Sequence, residues 1–246
     1  MPEISVLLLA ACMFLGAALY ASVGHAGASA YIALMALFGI APATMRPTAL
    51  ALNILVSAFT SFRFVNAGLF RWRTLWPFLI GAVPFAFLGG SVQLPGAYYR
   101  PLVGLVLLFS GARLLWPREL KSNLDPQDPP IWAGILCGVG IGFLSGLTGT
   151  GGGIFLSPLL LFLGWSDTRR ASGVAAVFIL SNSIAGMLGN ITIVRSLPPD
   201  LWIYAIAVGA GAIVGTFLGI RWRPAIILKA LGCVLIIAGL KLIGVY

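Results

Sequence analysis

Long apolar runs, separated by glycine, proline and charged residues, divide the chain into ten segments. Most of these runs are long enough to cross a hydrocarbon core as a helix, and only helices and closed barrels can cross one. The pattern therefore predicts an all-α integral membrane protein. The expected segments cover residues 4–23, 28–40, 48–62, 75–92, 101–116, 131–147, 153–164, 171–188, 201–220 and 225–244.

One polar stretch separates the first five segments from the last five. Residues 117–130 read PRELKSNLDPQDPP, and such prolines and mixed charges are typical of a surface linker. We expect a first membrane repeat over 1–116, a cytoplasmic linker over 117–130 and a second membrane repeat over 131–246.

The two halves match when one is shifted over the other by 124 residues, and a further shift of four aligns the last segments. Apolar matches mean little in so apolar a chain, so the polar matches carry the comparison. Five segments are an odd number, and the second half would therefore enter the membrane inverted. The main matched pairs are Arg46/Arg170, Asn66/Asn190, Arg71/Arg195, Gly104/Gly232 and Gly111/Gly239.

Loop charges favour this inverted arrangement. With the N-terminus outside, the 15 lysines and arginines divide 11 to 4 in favour of the cytoplasm, as the positive-inside rule requires. If segments two and seven do not cross the membrane, the same residues divide 8 to 7 between the two sides, and this near-equal division favours neither orientation. We expect a multi-pass protein of the cell (inner) membrane with both termini outside. The four outer positions are Arg46, Arg100, Arg195 and Lys241.

Segments two and seven are short. At 1.5 Å per residue they reach roughly 20 Å, less than a hydrocarbon core of about 30 Å. Each could cross fully or form half of a re-entrant hairpin with the segment before it, and loop charges do not separate these geometries. In both cases the turns that precede them point into the protein, near the midplane.

The run from Thr148 to Gly153 (TGTGGG) interrupts helix between two apolar segments. Backbone without helical hydrogen bonds persists at membrane depth only where protein or water surrounds it, and broken helices mark binding sites in secondary transporters. Helix N-termini offer free N–H groups and a positive dipole end to an anion. The alternative is that the glycines allow close packing and the hydroxyls cap helices.

Two further groups of polar residues accompany the turns. His25, the only histidine, could couple transport to protons or could stay neutral and hydrogen-bonded to a carbonyl. Asn53 and Ser57 share one helix face, and Ser181 and Asn182 occupy the matching stretch; they could line a cavity or join helices. The candidate substrate-binding set is Gly24, His25, Gly27, Ser29, Asn53, Ser57, Thr148, Gly149, Thr150, Gly151, Gly152, Gly153, Ser181 and Asn182.

Composition and the remaining charged residues narrow the function classes. Hydrophobic residues make up 60% of the chain, charged residues 9%, and the net charge of +9 is scattered between apolar segments, which argues against nucleic acid. No metal, cofactor or catalytic cluster is expected. For Arg46 and Arg170, topology and lipid contact are favoured over attraction of anions. Asn66 and Asn190 are expected to cap helix C-termini.

Four stretches resemble the sulfite exporter TauE/SafE family of membrane permeases. They are GFLSGLTGTGGGIFLSPLLLFLG (142–164), RRASGVAAVFILSNSIAGMLGN (169–190), SVGHAGASAYIALMALFGI (22–40) and RPTALALNILVSAFTSF (46–62). The first-half motif is degraded, because Ala28 and Ser29 replace the last two glycines and no proline matches Pro158.

The resemblance implies secondary transport of a small organic or inorganic sulfur anion, such as sulfite or an organosulfonate. We expect ion- or proton-coupled alternating access, with a passive small-anion channel as the alternative. An enzyme is not expected. The expected partners are the sulfur anion and membrane lipids, and a homodimer stays open.

Overall fold

The computed structural model describes residues 3–115, 126–189, 197–219 and 225–244, and every regular element within these ranges is a helix, as predicted. The predicted linker lies mainly outside these ranges, and Asn190, with its predicted capping role, and Arg195 lie wholly outside them. The described ranges hold ten helices. These are α1 Glu3–Ala21, α2 Ala28–Leu37, α3 Pro42–Asn66, α4 Trp72–Ser91, α5 Gly96–Leu115, α6 Ile131–Thr148, α7 Gly153–Phe162, α8 Thr168–Gly189, α9 Leu201–Gly219 and α10 Ala225–Ile243.

Five of these helices, α1, α3, α4, α6 and α8, are long and apolar enough to cross a membrane by length and composition. The boundary that moves most is the start of α3, which was predicted at residue 48 and lies at Pro42. Pro42 stands at the first helical position, where the missing N–H of proline loses no bond. The helix therefore includes Arg46 and Pro47, which the pattern had placed in a loop.

The two short helices begin where the glycine turns predict. Helices α2 and α7 have ten residues each, about 15 Å of helix, and each follows a left-handed glycine, Gly27 (φ 97°) or Gly152 (φ 79°). A side chain strongly disfavours that conformation, which explains why glycine precedes each short helix. Eight residues of α2 are buried, which shows that protein rather than lipid surrounds it.

Glycine contacts fix the relative directions of neighbouring helices. Gly104 of α5 packs on Gly239 of α10, and Gly111 packs on Gly232, so these two helices run antiparallel. Helices α3 and α8 also run antiparallel. Their contacts pair Leu50 with Gly186 and Asn53 with Ser183.

Helices α4 and α6 run parallel and approach unusually closely. Four glycines spaced four residues apart on α6 face the backbone of α4, and a Cβ on the middle two would lie 2.3 Å from a carbonyl oxygen. Small residues at this spacing let membrane helices pack backbone against backbone. The facing pairs are Gly134 with Pro77, Gly138 with Phe78, Gly142 with Ala82, and Gly146 with Ala86. Helices α1 and α9 also run parallel, with Phe14 near Gly211 and Ala18 near Gly215.

Loops from different parts of the chain meet at the α3–α4 end of the protein. Arg71, before α4, forms a 3.5 Å salt bridge with Asp128 in the described end of the linker. The N–H of Gln127 donates to the carbonyl of Gly164, after α7, at 3.2 Å. These three segments, all predicted to be cytoplasmic, therefore lie on one face.

Candidate functional site

The second glycine turn joins α6 to α7 and leaves the start of α7 open. Gly149, Gly151 and Gly152 all have positive φ, and no side chain caps the helix. The first backbone hydrogen bonds into the turn come from the N–H groups of Phe155 and Leu156, both at 3.1 Å to the Gly152 carbonyl. The N–H groups before them have no intrahelical acceptor, as at any helix start.

His25 connects the first turn to α7. Its Nδ1 lies 3.1 Å from the Val23 carbonyl, and its Nε2 lies 3.1 Å from both the Gly153 carbonyl and the Ser157 hydroxyl. A neutral ring can donate from Nδ1 to Val23 while Nε2 accepts from Ser157, whereas a protonated ring can donate to both carbonyls. Both the neutral and the protonated His25 ring therefore have hydrogen-bond partners here.

Two buried asparagines adjoin the second turn. A Cβ at Gly151 would lie 2.4 Å from Asn53 Nδ2, and one at Gly152 would lie 3.3 Å from Asn182 Nδ2. Both asparagines are fully buried. Asn53 Nδ2 donates to the Ser183 hydroxyl at 3.3 Å.

Three polar atoms of these two side chains are unsatisfied. Within the described ranges, Asn53 Oδ1 and both Asn182 side-chain atoms have no hydrogen-bond partner. Each orphaned buried group costs about 1–3 kcal/mol, and such groups in native proteins call for a water, an ion or a ligand. The amides therefore mark a place where a polar guest can bind.

The hydroxyls of the predicted set are engaged locally instead. Thr148 Oγ1 donates to the Leu144 carbonyl at 2.7 Å and lies 2.9 Å from Thr150 Oγ1. Ser57 and Ser181 donate to carbonyls of their own helices at 2.5 and 3.0 Å. These three bonds to carbonyls lie within single helices, so they are neither the helix caps proposed as the alternative for Thr148 nor the bonds between helices proposed for Ser57 and Ser181.

Apart from His25, the residues of the first glycine turn, between α1 and α2, pack tightly against their neighbours. The hydroxyls of Ser29 and Tyr20 lie 2.7 Å apart, which ties the start of α2 to α1. The Tyr31 hydroxyl donates to the Ala26 carbonyl at 2.5 Å, and a Cβ at Gly27 would lie 2.9 Å from that hydroxyl. Gly24 packs against the backbone of Ser172 at the start of α8.

The expectation that Arg46 contacts lipid was wrong. The side chain is only 6% exposed, so lipid contact is not its role. Its guanidinium donates to the carbonyls of Val92 at 2.8 Å, Gly89 at 3.0 Å and Gly90, and so caps the end of α4. Glycines leave these last carbonyls open to a guanidinium that the early start of α3 brings within reach. Arg46 also lies beside Gly149, although no arginine belongs to the turn itself.

The structure also shows the surroundings of Arg170 and Asn66. Arg170 is half exposed and pairs with Asp167 at 3.4 Å, three residues earlier. Asn66 is the last residue of α3, and Ala67 rather than Asn66 occupies the C-cap position, so the capping expectation for Asn66 was wrong.

Three contacts of the site were missed from the sequence. Ser157 lies one helical turn after Gly153, and this spacing could have placed it on the same face of α7. Ser183 follows Asn182 directly. Tyr99, whose hydroxyl donates to the Thr148 carbonyl at 3.1 Å, belongs to α5, and no local pattern indicates that contact. Among the described residues no group of three or more His, Cys, Asp or Glu side chains could hold a metal ion.

Comparison with known proteins places the chain in a family. Residues 8–242 match the family model described as sulfite exporter TauE/SafE. The chain is 42% identical over 239 residues, covering 96% of it and 97% of the relative, to the probable membrane transporter protein y4hK of Sinorhizobium fredii. It is 26% identical over 250 residues, covering 94% and 96%, to the probable membrane transporter protein YjnA of Bacillus subtilis. No solved structure matches the chain significantly.

The family match spans nearly the whole chain and includes both glycine turns and the helices packed on them. The predicted resemblance is therefore confirmed. The chain belongs to the sulfite exporter TauE/SafE family, and it is a multi-pass membrane transporter rather than an enzyme.

Proposed function

We propose that this protein is a secondary transporter that carries a small sulfur-containing oxyanion, such as sulfite or an organosulfonate, across the cytoplasmic membrane. The observation that carries the proposal is the juxtaposition of an uncapped helix start with unsatisfied asparagine amides in a buried place. The family description supports the substrate class.

The chemistry of the site suits a compact oxyanion. Its donors are the N–H groups that begin α7 and the Asn182 amide, and they carry partial rather than full positive charge. The unsatisfied amide oxygens can accept from a protonated oxygen of the anion or from a water that travels with it. A site without a full ion pair binds its guest less firmly, which favours release on the other side.

We propose that the two halves, 1–116 and 131–246, are inverted repeats. Their fifth helices, α5 and α10, and their third helices, α3 and α8, pack antiparallel. Ten alternating crossings give those directions, whereas eight crossings would make both pairs parallel. The contact of Gly104 with Gly239 also becomes the contact of Gly232 with Gly111 when the matched glycines are exchanged. These observations support a two-fold axis through the α5–α10 contact.

We propose further that His25 couples transport to protonation. Its ring lies against Gly153 and Ser157, next to the candidate anion site. A proton on the ring would add positive charge there as an anion arrives. The neutral ring would accept a bond from Ser157, and the protonated ring would donate one to the Gly153 carbonyl. The hydrogen bonding of the first turn of α7 would therefore change with the charge of the ring.

Ligand-dependent thermal stability tests the substrate class. Sulfite, sulfate, thiosulfate, sulfoacetate and taurine should be compared with acetate on the purified full chain, since a ligand of the folded state raises its apparent stability. At one hundred times Kd the expected stabilisation is about 2.7 kcal/mol. A preference for acetate over every sulfur compound would contradict the proposal.

Asn182→Leu tests the site itself. Leucine has a similar volume and no orphaned polar atoms, so the free energy of unfolding of the ligand-free protein should stay equal or rise by up to about 2 kcal/mol. The anion-induced increase in stability should disappear. Ser110→Ala, a buried hydroxyl of α5 bonded to the Val106 carbonyl, is the control and should keep this increase. Trans-stimulation of flux in proteoliposomes separates this carrier from a channel.

A further inference from the structure

A cavity of about 770 Å³ opens where α3 begins and α4 ends. Its wall consists of the first turn of α3, the segment between α4 and α5, and the first turn of α5. None of the described residues that line it is acidic. Its polar lining residues are Arg46, Gln93, Tyr99 and Arg100.

Arg46 lacks a counter-charge in this wall. The side chain is 94% buried, being 6% exposed, and its N–H groups donate only to neutral carbonyls of α4 and the residue after it. Its Nε has no hydrogen-bond partner in the described part of the chain, and neither salt bridge found there includes it. A buried cation without an anion is costly, so an anion in the cavity would relieve that cost.

The cavity adjoins the second glycine turn. Gly149 packs on the Arg46 side chain, because a Cβ there would lie 3.2 Å from Arg46 Cγ. The Tyr99 hydroxyl donates to the Thr148 carbonyl at 3.1 Å. Two residues of the cavity wall therefore contact the turn that leads to the candidate central site.

The residue matched to Arg46 in the other half has different surroundings. Arg170, which the offset of 124 residues matches to Arg46, is about half exposed and already pairs with Asp167. Within the described ranges, Arg46 is therefore buried without a salt bridge, whereas its matched residue Arg170 is neither buried nor unpaired.

We infer that this cavity is a vestibule that binds the small oxyanion at one face, between bulk water and the central site. The inference rests on the proposed anion transport. Arg46 supplies the buried charge and Tyr99 the link to the turn, while the exposed Arg100 attracts the anion to the opening. In the proposed topology the vestibule faces outward.

Arg100→Gln is the decisive variant, because the side chain is exposed and its loss should not disturb folding. Right-side-out and inverted membrane vesicles that contain the full chain present opposite faces to radiolabelled sulfite. The variant should raise KM about two- to fivefold at the vestibule face, with the maximal rate unchanged, since exposed charges contribute this much. Arg100→Lys should restore KM, and raised salt should shrink the difference.

Arg169→Gln removes an exposed arginine at the start of α8 and is the matched control, with KM at the vestibule face unchanged. An unchanged KM in Arg100→Gln, or an equal shift at both faces, would overturn the vestibule while leaving the transport proposal standing. If wild-type vesicles move neither sulfite nor methanesulfonate, the proposed function fails, and the vestibule fails with it.

Discussion

At the scale of single residues, the site is defined by groups that lack partners. Asn182 is fully buried between helices, and neither of its amide atoms has a hydrogen bond among the described residues. His25 shows the opposite case, with three partners for two ring nitrogens. Buried polar groups without partners are costly, so a bound polar guest at Asn182 would lower that cost.

His25→Gln should abolish the pH dependence of transport between about pH 5 and 8, because the imidazole is the only side chain that ordinarily titrates there. The amide can still bond to Ser157 or Gly153, so folding should be retained. Initial rates of methanesulfonate uptake across this range, in wild type and variant, provide the measurement, because a sulfonate stays a monoanion throughout whereas sulfite itself changes protonation state there. Ser110→Ala, remote from the turns, should keep the wild-type profile. An unchanged profile in His25→Gln would remove the coupling role.

At the scale of helices, the sequence predicted where elements break better than where they meet. The starts of α2 and α7 could be predicted from the glycines, because few other residues adopt positive φ. The two helices begin directly after Gly27 and Gly152. The burial of Arg46 could not be predicted from the sequence, because it depends on the end of α4 lying beside the start of α3. The contact between Tyr99 and Thr148 likewise joins residues 49 apart in the chain. Such long-range pairs leave no local periodicity.

The α4–α6 contact gives a prediction at this scale. Gly142→Ala should destabilise the protein by about 1–3 kcal/mol, because the new methyl group would meet the backbone of Ala82 and force the helices apart. Gly140, on the same helix, has open space at its Cβ, so Gly140→Ala should be neutral or stabilising by up to about 1 kcal/mol. Unfolding in mixed micelles measures both. Equal effects would show that backbone packing does not determine this interface.

At the scale of the whole molecule, helix directions support the proposed inverted arrangement in addition to the sequence matches. The 124-residue offset pairs few polar residues, and several of these lie outside the described ranges. The antiparallel contacts of α5 with α10 and of α3 with α8 add independent support. They constrain crossing number, since a helix direction reverses whenever one crossing is added or removed before it.

Single cysteines in a chain without its three native cysteines test the crossing number. Ile4, Tyr98 and Trp132 are at least two-thirds exposed near the starts of α1, α5 and α6. With ten crossings, Ile4→Cys and Tyr98→Cys lie on one face, separated by four crossings, and Trp132→Cys lies on the other. A membrane-impermeant maleimide should therefore label the first two in intact cells, and the third only after the membrane is opened. With eight crossings only three separate Ile4 from Tyr98, so labelling of those two positions from opposite sides would contradict the inverted repeat. Labelling of Trp132→Cys alone in intact cells would keep the repeat and reverse its orientation, placing the vestibule on the cytoplasmic face.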